Sequence, residues 1–168
     1  AVSIYSVLRT FLPQNTVHIK WPNDILIERR KVAGILIENN FIGNKLNWSI
    51  AGIGLNVNQK FEHLTEINAS SLSEIIGNTI EREHILKLIL ETLEHNYLLL
   101  QAGQKEEINI QFDKALLSYQ EKTEFKTQNG TFEGIVMGCD GDGRLLLKHN
   151  DGGIQAHIHG SIKQKIHG

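Results

Sequence analysis

Hydrophobic positions along this chain follow two rhythms, and the changes between them divide it. Ile4, Val7, Leu8 and Phe11 recur at the spacing of one helix face and Pro13 follows, so Val2 to Leu12 reads as an amphipathic helix. Val17-His18-Ile19-Lys20-Trp21 is β-branched and aromatic, and reads as a strand. Pro22-Asn23-Asp24 is a turn, Ile25 to Glu28 a second strand, Arg29-Arg30 a polar link and Val32 to Asn39 a third strand. Gly43-Asn44 leads into Leu46 to Gly54, where Trp48, Ile50 and Ile53 predict a largely buried strand. Consecutive strands with short links predict an antiparallel sheet.

The helical rhythm then returns. Ser71-Leu72-Ser73-Glu74 has capping-box spacing and predicts a short helix to about Gly77. Asn78 with Glu81 is the expected cap of a longer helix, whose apolar face carries Ile85, Leu88, Ile89, Leu93, Tyr97 and Leu100 and which stops at Gly103. Ile108, Phe112, Ala115 and Leu116 mark another helix, to roughly Ser118. From about Gln120 short strands follow at 124–127, 131–139, 144–149, 154–159 and 161–166. Their turns are Asn129-Gly130, Asp140-Gly141-Asp142-Gly143 and Asp151-Gly152-Gly153. The expected fold class is α+β: a mixed or antiparallel sheet with helices over residues 1–119, then a small SH3-like β-barrel over 120–168.

Composition narrows the partners. A hydrophobic share of 40% and a charged share of 21% describe a globular chain. A net charge of −2 gives no basic footprint for nucleic acid, and no helix-turn-helix pattern is present. The apolar runs are far shorter than a membrane span. A single cysteine, Cys139, favours a reducing, cytoplasmic setting.

Most candidate chemistry has a plain reading. Asp140-Gly141-Asp142-Gly143 resembles the start of a calcium loop, but Arg144 and Asp151 stand where such a loop needs an oxygen ligand and a glutamate, so a hairpin turn is expected. His149, His157, His159 and His167 read as surface or barrel-rim residues, with His157 and His159 on one strand face. Cys139 reads as a small buried hydrophobe. No metal site is expected. Gly52-Ile53-Gly54 is no dinucleotide fingerprint, because no third glycine or helix follows. It is either a strand-ending turn or a place where a flat ligand lies against backbone, with Asn56 able to read an adenine edge. Lys20 and Asp24 bracket a proline turn and Lys31 lies across the expected hairpin, which suits either a surface hairpin with a salt bridge or a site for an anionic ligand.

Three motifs taken in order carry more. Lys20-Trp21-Pro22-Asn23-Asp24, then Lys31-Val32-Ala33-Gly34-Ile35-Leu36-Ile37-Glu38, then Gly52-Ile53-Gly54-Leu55-Asn56-Val57-Asn58 resemble the biotin protein ligases, ATP-dependent enzymes that biotinylate a lysine of a carboxylase carrier domain. The resemblance implies a class II synthetase-like catalytic fold, a C-terminal SH3-like domain, and MgATP, biotin and the carrier domain as ligands. It implies Lys31 at the biotin carboxylate and α-phosphate, Asp24 positioning the incoming lysine or holding Mg²⁺, and Lys20 as a supporting cation. It also implies Gly34, Leu36 and Gly52 along biotin, and Asn23, Gly54, Leu55 and Asn56 at the nucleotide. Lipoate ligase relatives share the architecture but lack the Lys-Trp-Pro-Asn-Asp motif. The family's glycine- and arginine-rich loop has no counterpart in the residues before Lys20, so the chain is expected to be the C-terminal half of the catalytic domain plus the terminal domain. Apolar sheet surface exposed in this way is expected to promote dimerisation or protein contacts.

Overall fold

The computed structural model describes residues 1–61 and 68–166; His167 of the histidine group lies outside them. The elements run α1 (Val2–Phe11), β1 (Val17–Lys20), β2 (Asp24–Ile27), β3 (Arg30–Ile42), β4 (Lys45–Leu55), α2 (Leu72–Ile76), α3 (Arg82–Gln101), α4 (Lys105–Ala115), β5 (Lys122–Thr127), β6 (Gly130–Cys139), β7 (Leu145–Lys148), β8 (Ile154–His157) and β9 (Lys163–Gln164). One sheet has the order β1-β2-β3-β4 and the other β8-β7-β6-β5-β9, with every ladder antiparallel. The α+β reading holds. Among the described residues no helix is long and apolar enough to cross a membrane.

α1 buries Val2, Ile4, Val7 and Leu8. It packs on α3 and the first sheet, where Ser3 Oγ accepts a hydrogen bond from Asn96 Nδ2 at 2.8 Å. Val17, Ile19, Ile25, Ile27, Val32 and Ala33 complete this core. Short strands read here as expected because their buried residues come from several adjacent strands of one sheet. α2 begins with a complete capping box: Ser71 Oγ accepts from Glu74 N, and Glu74 Oε2 accepts from Ser71 N. Glu74 also accepts from Phe61 N at 2.6 Å, and these hydrogen bonds hold its carboxyl below the usual range, the Phe61 bond contributing most.

Several expectations are corrected. β4 is not buried: Trp48 is 44% exposed and Ile50 58%, and both faces of the strand are open. Apolar alternation reports that a strand needs cover, and among the described residues nothing covers this half of the β3–β4 ribbon. The same holds for α3, where Ile85 and Ile89 are buried while Leu93, Tyr97 and Leu100 are exposed. The N-cap of α3 is Glu81 rather than Asn78, with no side-chain cap among the described residues, and α4 begins at Lys105, earlier than the apolar positions suggested. In the second sheet β8 and β9 stand at opposite edges, so among the described residues the strand ladder does not close.

The histidines separate. His157 ends β8, and with His149 it stacks against Phe132, at ring-centroid distances of 5.7 and 5.1 Å; their Nε2 atoms are buried and have no hydrogen-bond partner among the described residues. Burial lowers the His157 pKa. His159 lies beyond the strand, edge-on to Trp21, because strand alternation ends at His157. The turn after β6 is held by Asp140, whose Oδ1 accepts from Asp142 N and Arg144 N. Cys139 is half-buried, and burial first, then Asp113, pushes its thiol up to about 12.

Candidate functional site

The β1–β2 hairpin sets Lys20 directly across from Asp24. The turn between them is fixed to β3 by two bonds: Asn23 Nδ2 donates to Ile35 O at 2.8 Å, and Ile35 N donates to Asn23 O at 2.9 Å. These spend one side of Asn23 on the turn itself.

Lys31 reaches the same place through an irregularity. Asp24 faces Gly34 and Ile25 faces Ala33, but Leu26 then faces Lys31, so β3 carries one extra residue. In a regular strand, residues three apart point to opposite faces; the bulge returns Lys31 to the face of Gly34 and Asp24. Its Nζ lies 2.5 Å from Asp24 Oδ1, with the two side chains 46% and 24% exposed. A Cβ on Gly34 would stand 3.3 Å from Lys31 Nζ. Glycine here leaves the lysine its path to the carboxylate.

The backbone of Lys31 is held as well. Its N–H donates to Asn68 O and its carbonyl accepts from Ser70 N, both at 3.0 Å. Asn56 supports that segment by donating Nδ2 to Ser70 O at 3.1 Å. The Asn68–Ser70 stretch carries no sequence signal for this role beyond its closeness to the Ser71 cap. Gly54 pairs with Gly34, Leu55 with Ala33, and Gly52 with Leu36. A Cβ on Gly52 or Gly54 would meet nothing closer than a backbone carbonyl at 3.7 Å or 3.9 Å. Leu36 is exposed at the edge of an apolar groove of about 710 Å³, lined also by Ile35, Tyr97, Leu100 and Phe112.

A second groove of about 580 Å³ opens on the other side of the Pro22-Asn23 turn. Lys20 and Asp24 face Lys126, Ser161 and Lys163 across it, so the second sheet forms its far wall. Trp21 ties that sheet in place, donating Nε1 to Gly143 O at 3.0 Å and meeting His159 edge-on. Lys20 is half-buried; burial lowers its ammonium pKa, Asp24 raises it, and Lys163 and Lys31 lower it further. Sequence reasoning missed Lys126, Lys163 and His159 here. Local sequence gives no signal of which residues from distant strands meet the motif.

The site therefore has an apolar groove and a cationic groove on either side of one fixed turn. Such a cleft suits a ligand with an apolar body and an anionic end. Among the described residues no group of three or more His, Cys, Asp or Glu side chains could hold a metal ion.

Comparison with known proteins agrees with the motifs. Residues 3–56 match the biotin/lipoate A/B protein ligase family. The chain is 36% identical over 137 residues to the bifunctional ligase/repressor BirA of Bacillus subtilis, covering 80% of this chain and 42% of that protein. It is 29% identical over 170 residues to biotin–protein ligase 1, chloroplastic, of Arabidopsis thaliana, covering 92% and 46%. The biotin protein ligase of Aquifex aeolicus, solved in complex with biotin and ATP, superposes with a TM-score of 0.76 at 27% identity, over 98% of this chain and 68% of that one. The chain thus spans less than half the length of these two curated relatives. In its motifs, its matched segment and its fold, this chain is similar to the biotin protein ligases.

Proposed function

We propose that the protein to which this chain belongs activates biotin with ATP and transfers it to a lysine of a carboxylase carrier domain. The observation that carries this reading is the Lys31–Asp24 pair, brought together by the β3 bulge next to the Pro22-Asn23 turn that borders both an apolar and a cationic groove. The biotin carboxylate oxygen attacks the α-phosphorus, the bond to the β-phosphate breaks, and pyrophosphate leaves. The acceptor lysine nitrogen then attacks the acyl carbonyl, loses its proton, and AMP departs.

Lys31 binds the carboxylate and the α-phosphate, where both steps gather negative charge, and a cation fixed in advance stabilises that charge without reorganisation. Asp24 orients Lys31 and offers the incoming lysine an acceptor. Lys20 supports the phosphates. Gly34, Leu36 and Gly52 line the biotin path, and Asn23, Gly54, Leu55 and Asn56 the nucleotide. Asn56 retains its amide oxygen for an adenine amino group while its Nδ2 holds Ser70. Mg²⁺ arrives with the phosphates, and Asp24 is the carboxylate lining the cationic groove that could steady it.

We further read residues 1–119 as part of the catalytic domain and 120–168 as an SH3-like domain, in a cytoplasmic protein. The exposed apolar ribbon of β3–β4 favours a second property, self-association or protein contact through that surface. Sedimentation at rising concentration tests it, and a persistent monomer would dismiss homodimerisation. The catalytic reading is tested by ATP–pyrophosphate exchange in the protein with and without biotin. Biotin-dependent exchange is the expected result, and its absence removes the reading.

A further inference from the structure

β8 is an outer strand of the second sheet, hydrogen-bonded to β7 alone among the described strands. Its Ile154, Gln155 and Ala156 are exposed, and His157 is the one residue of the strand that is not. The His157 ring stacks against Phe132, which stacks in turn against the fully buried Phe125 at 5.7 Å. His149, in the β7–β8 turn, stacks against the same phenyl ring, with its centroid 5.8 Å from that of His157. The turn holds it there: His149 N donates to Gly153 O at 2.8 Å, and His149 O accepts from Gly152 N at 2.9 Å. Apart from its ladder to β7, this edge is fastened to the sheet by two imidazoles on one phenyl ring.

We propose that this stack is an acid-sensitive latch, which holds β8 to the second sheet while both imidazoles are neutral and releases it once either takes a proton. A neutral imidazole can carry its hydrogen on Nδ1 and leave Nε2 as a lone pair, whereas an imidazolium carries a hydrogen on both nitrogens. Both Nε2 atoms are buried and lack a hydrogen-bond partner among the described residues, so the added N–H would find no acceptor there and the charge no water. The surrounding carboxylates are engaged elsewhere. Glu133 pairs with Lys122, Glu124 with Lys165 and both Asp140 and Asp142 with Arg144, while Asp151 accepts from Gly153 N and Asp113 of α4 from Cys139 N. The other charges on these strands, Lys126, Lys148 and Lys163, are positive. Burial is the main cause that lowers the His157 pKa, and His149 lowers it further. Stability from the neutral stack is therefore fully present above the ordinary 6.5 and is lost as pH falls through the lowered value. Two residues beyond His157, His159 meets Trp21 and lines the cationic groove, so release of β8 reaches the wall of that groove.

The test is local, because His18 of β1 also has a pKa lowered by burial and a global unfolding curve would mix the two. Amide hydrogen exchange is measured strand by strand in the protein and corrected for the intrinsic rate. From about pH 7 to about pH 5 the protection of the β7–β8 amides is expected to fall about tenfold or more. His149→Phe/His157→Phe fills both places with rings that cannot ionise and is expected to abolish that fall, whereas His18→Gln is expected to leave it. A proton NMR titration of the wild-type imidazoles needs no substitution and is expected to place His157 below 6.5. Unchanged β7–β8 protection in the wild type, or a fall that persists in the double phenylalanine variant, overturns the proposal. Should that variant not fold, the wild type decides: a His157 pKa at or above 6.5, the direction that attraction of an imidazolium to the Phe132 face favours, overturns the latch. A value below 6.5 together with the local loss of protection upholds it.

Discussion

The two ends of the β3–β4 ribbon share strands, register and an apolar composition, yet they behave as different materials. At the end nearest β2, Val32, Ala33 and Ile35 are buried, Asn23 is bonded to Ile35 at both backbone and side chain, and Lys31 is held by backbone, bulge and ion pair. At the far end Leu36, Ile37, Phe41, Ile42, Leu46 and Ile50 stand more than half exposed around the Gly43 turn. Continuous strands therefore do not imply continuous stability. A charged pair can be kept in one geometry only where neighbours on several sides fix the backbone beneath it. The far end instead offers apolar surface of the kind that marks an interaction face.

The largest contrast is chemical. In the full protein, Lys31→Ala is expected to reduce biotin-dependent ATP–pyrophosphate exchange by about 10²–10³-fold, the usual loss on removing one preorganised group that stabilises transition-state charge. Ile50→Ala, at the far end, is expected to leave exchange within about twofold, as surface changes usually do. Similar rates in wild type and Lys31→Ala would remove the site assignment. Stability gives the next contrast. Ile25 is fully buried, so Ile25→Ala is expected to cost about 2–5 kcal/mol in urea unfolding. Ile50→Ala is expected to stay within about 0.5 kcal/mol. A comparable loss at Ile50 would show that the ribbon is covered in solution.

The same contrast explains what could be read from the amino-acid order. The near end was legible because its signals are local: Val17 to Trp21 as a strand, one residue longer than β1, Pro22-Asn23-Asp24 as a turn, whose Asp24 opens β2, and Ser71 with Glu74 as a capping box. The motif residues Lys20, Asp24, Lys31 and Gly34 do converge, although the bulge that brings Lys31 round has no mark in the sequence. The exposure of Trp48 and Ile50 was not legible, since alternation records a requirement for cover and not its source. Nor were Lys126 and Lys163, whose place beside Lys20 depends on Trp21 reaching Gly143, far along the chain.

A subtler pair of substitutions probes the boundary between the two ends. Gly34 and Gly52 lie on neighbouring strands of the ribbon, yet only a Cβ at Gly34 enters the path of Lys31. Gly34→Ala is expected to raise the KM for biotin and lower exchange by about tenfold, since misplacing a positioned group costs rate without removing it. Gly52→Ala meets a carbonyl at an ordinary 3.7 Å, and its expected effect is within about threefold. The ranking, measured on soluble variants with matched circular dichroism, is the readout; equal losses would mean that backbone approach to ligand matters more than the room given to Lys31.

The smallest effect is a pH dependence at the near end, and its sign is distinctive. Burial, with Lys163 and Lys31, lowers the Lys20 pKa below its ordinary 10.5 in the folded protein. Between the lowered value and 10.5 the unfolded chain therefore binds more protons than the folded one, so stability contributed by this group rises with pH across that window. Below the window both states are charged and the cost of burying the ammonium is fully present. Activity should move the other way, because the cation supporting the phosphates is lost over the same interval. Lys20→Arg keeps its charge throughout, so it is expected to flatten both the rise in urea midpoint and the alkaline fall in kcat/KM for ATP. Opposed slopes that disappear together in the arginine variant would identify Lys20 as their common source. Slopes that persist would assign the titration to another group and leave Lys20 as a structural cation of the hairpin.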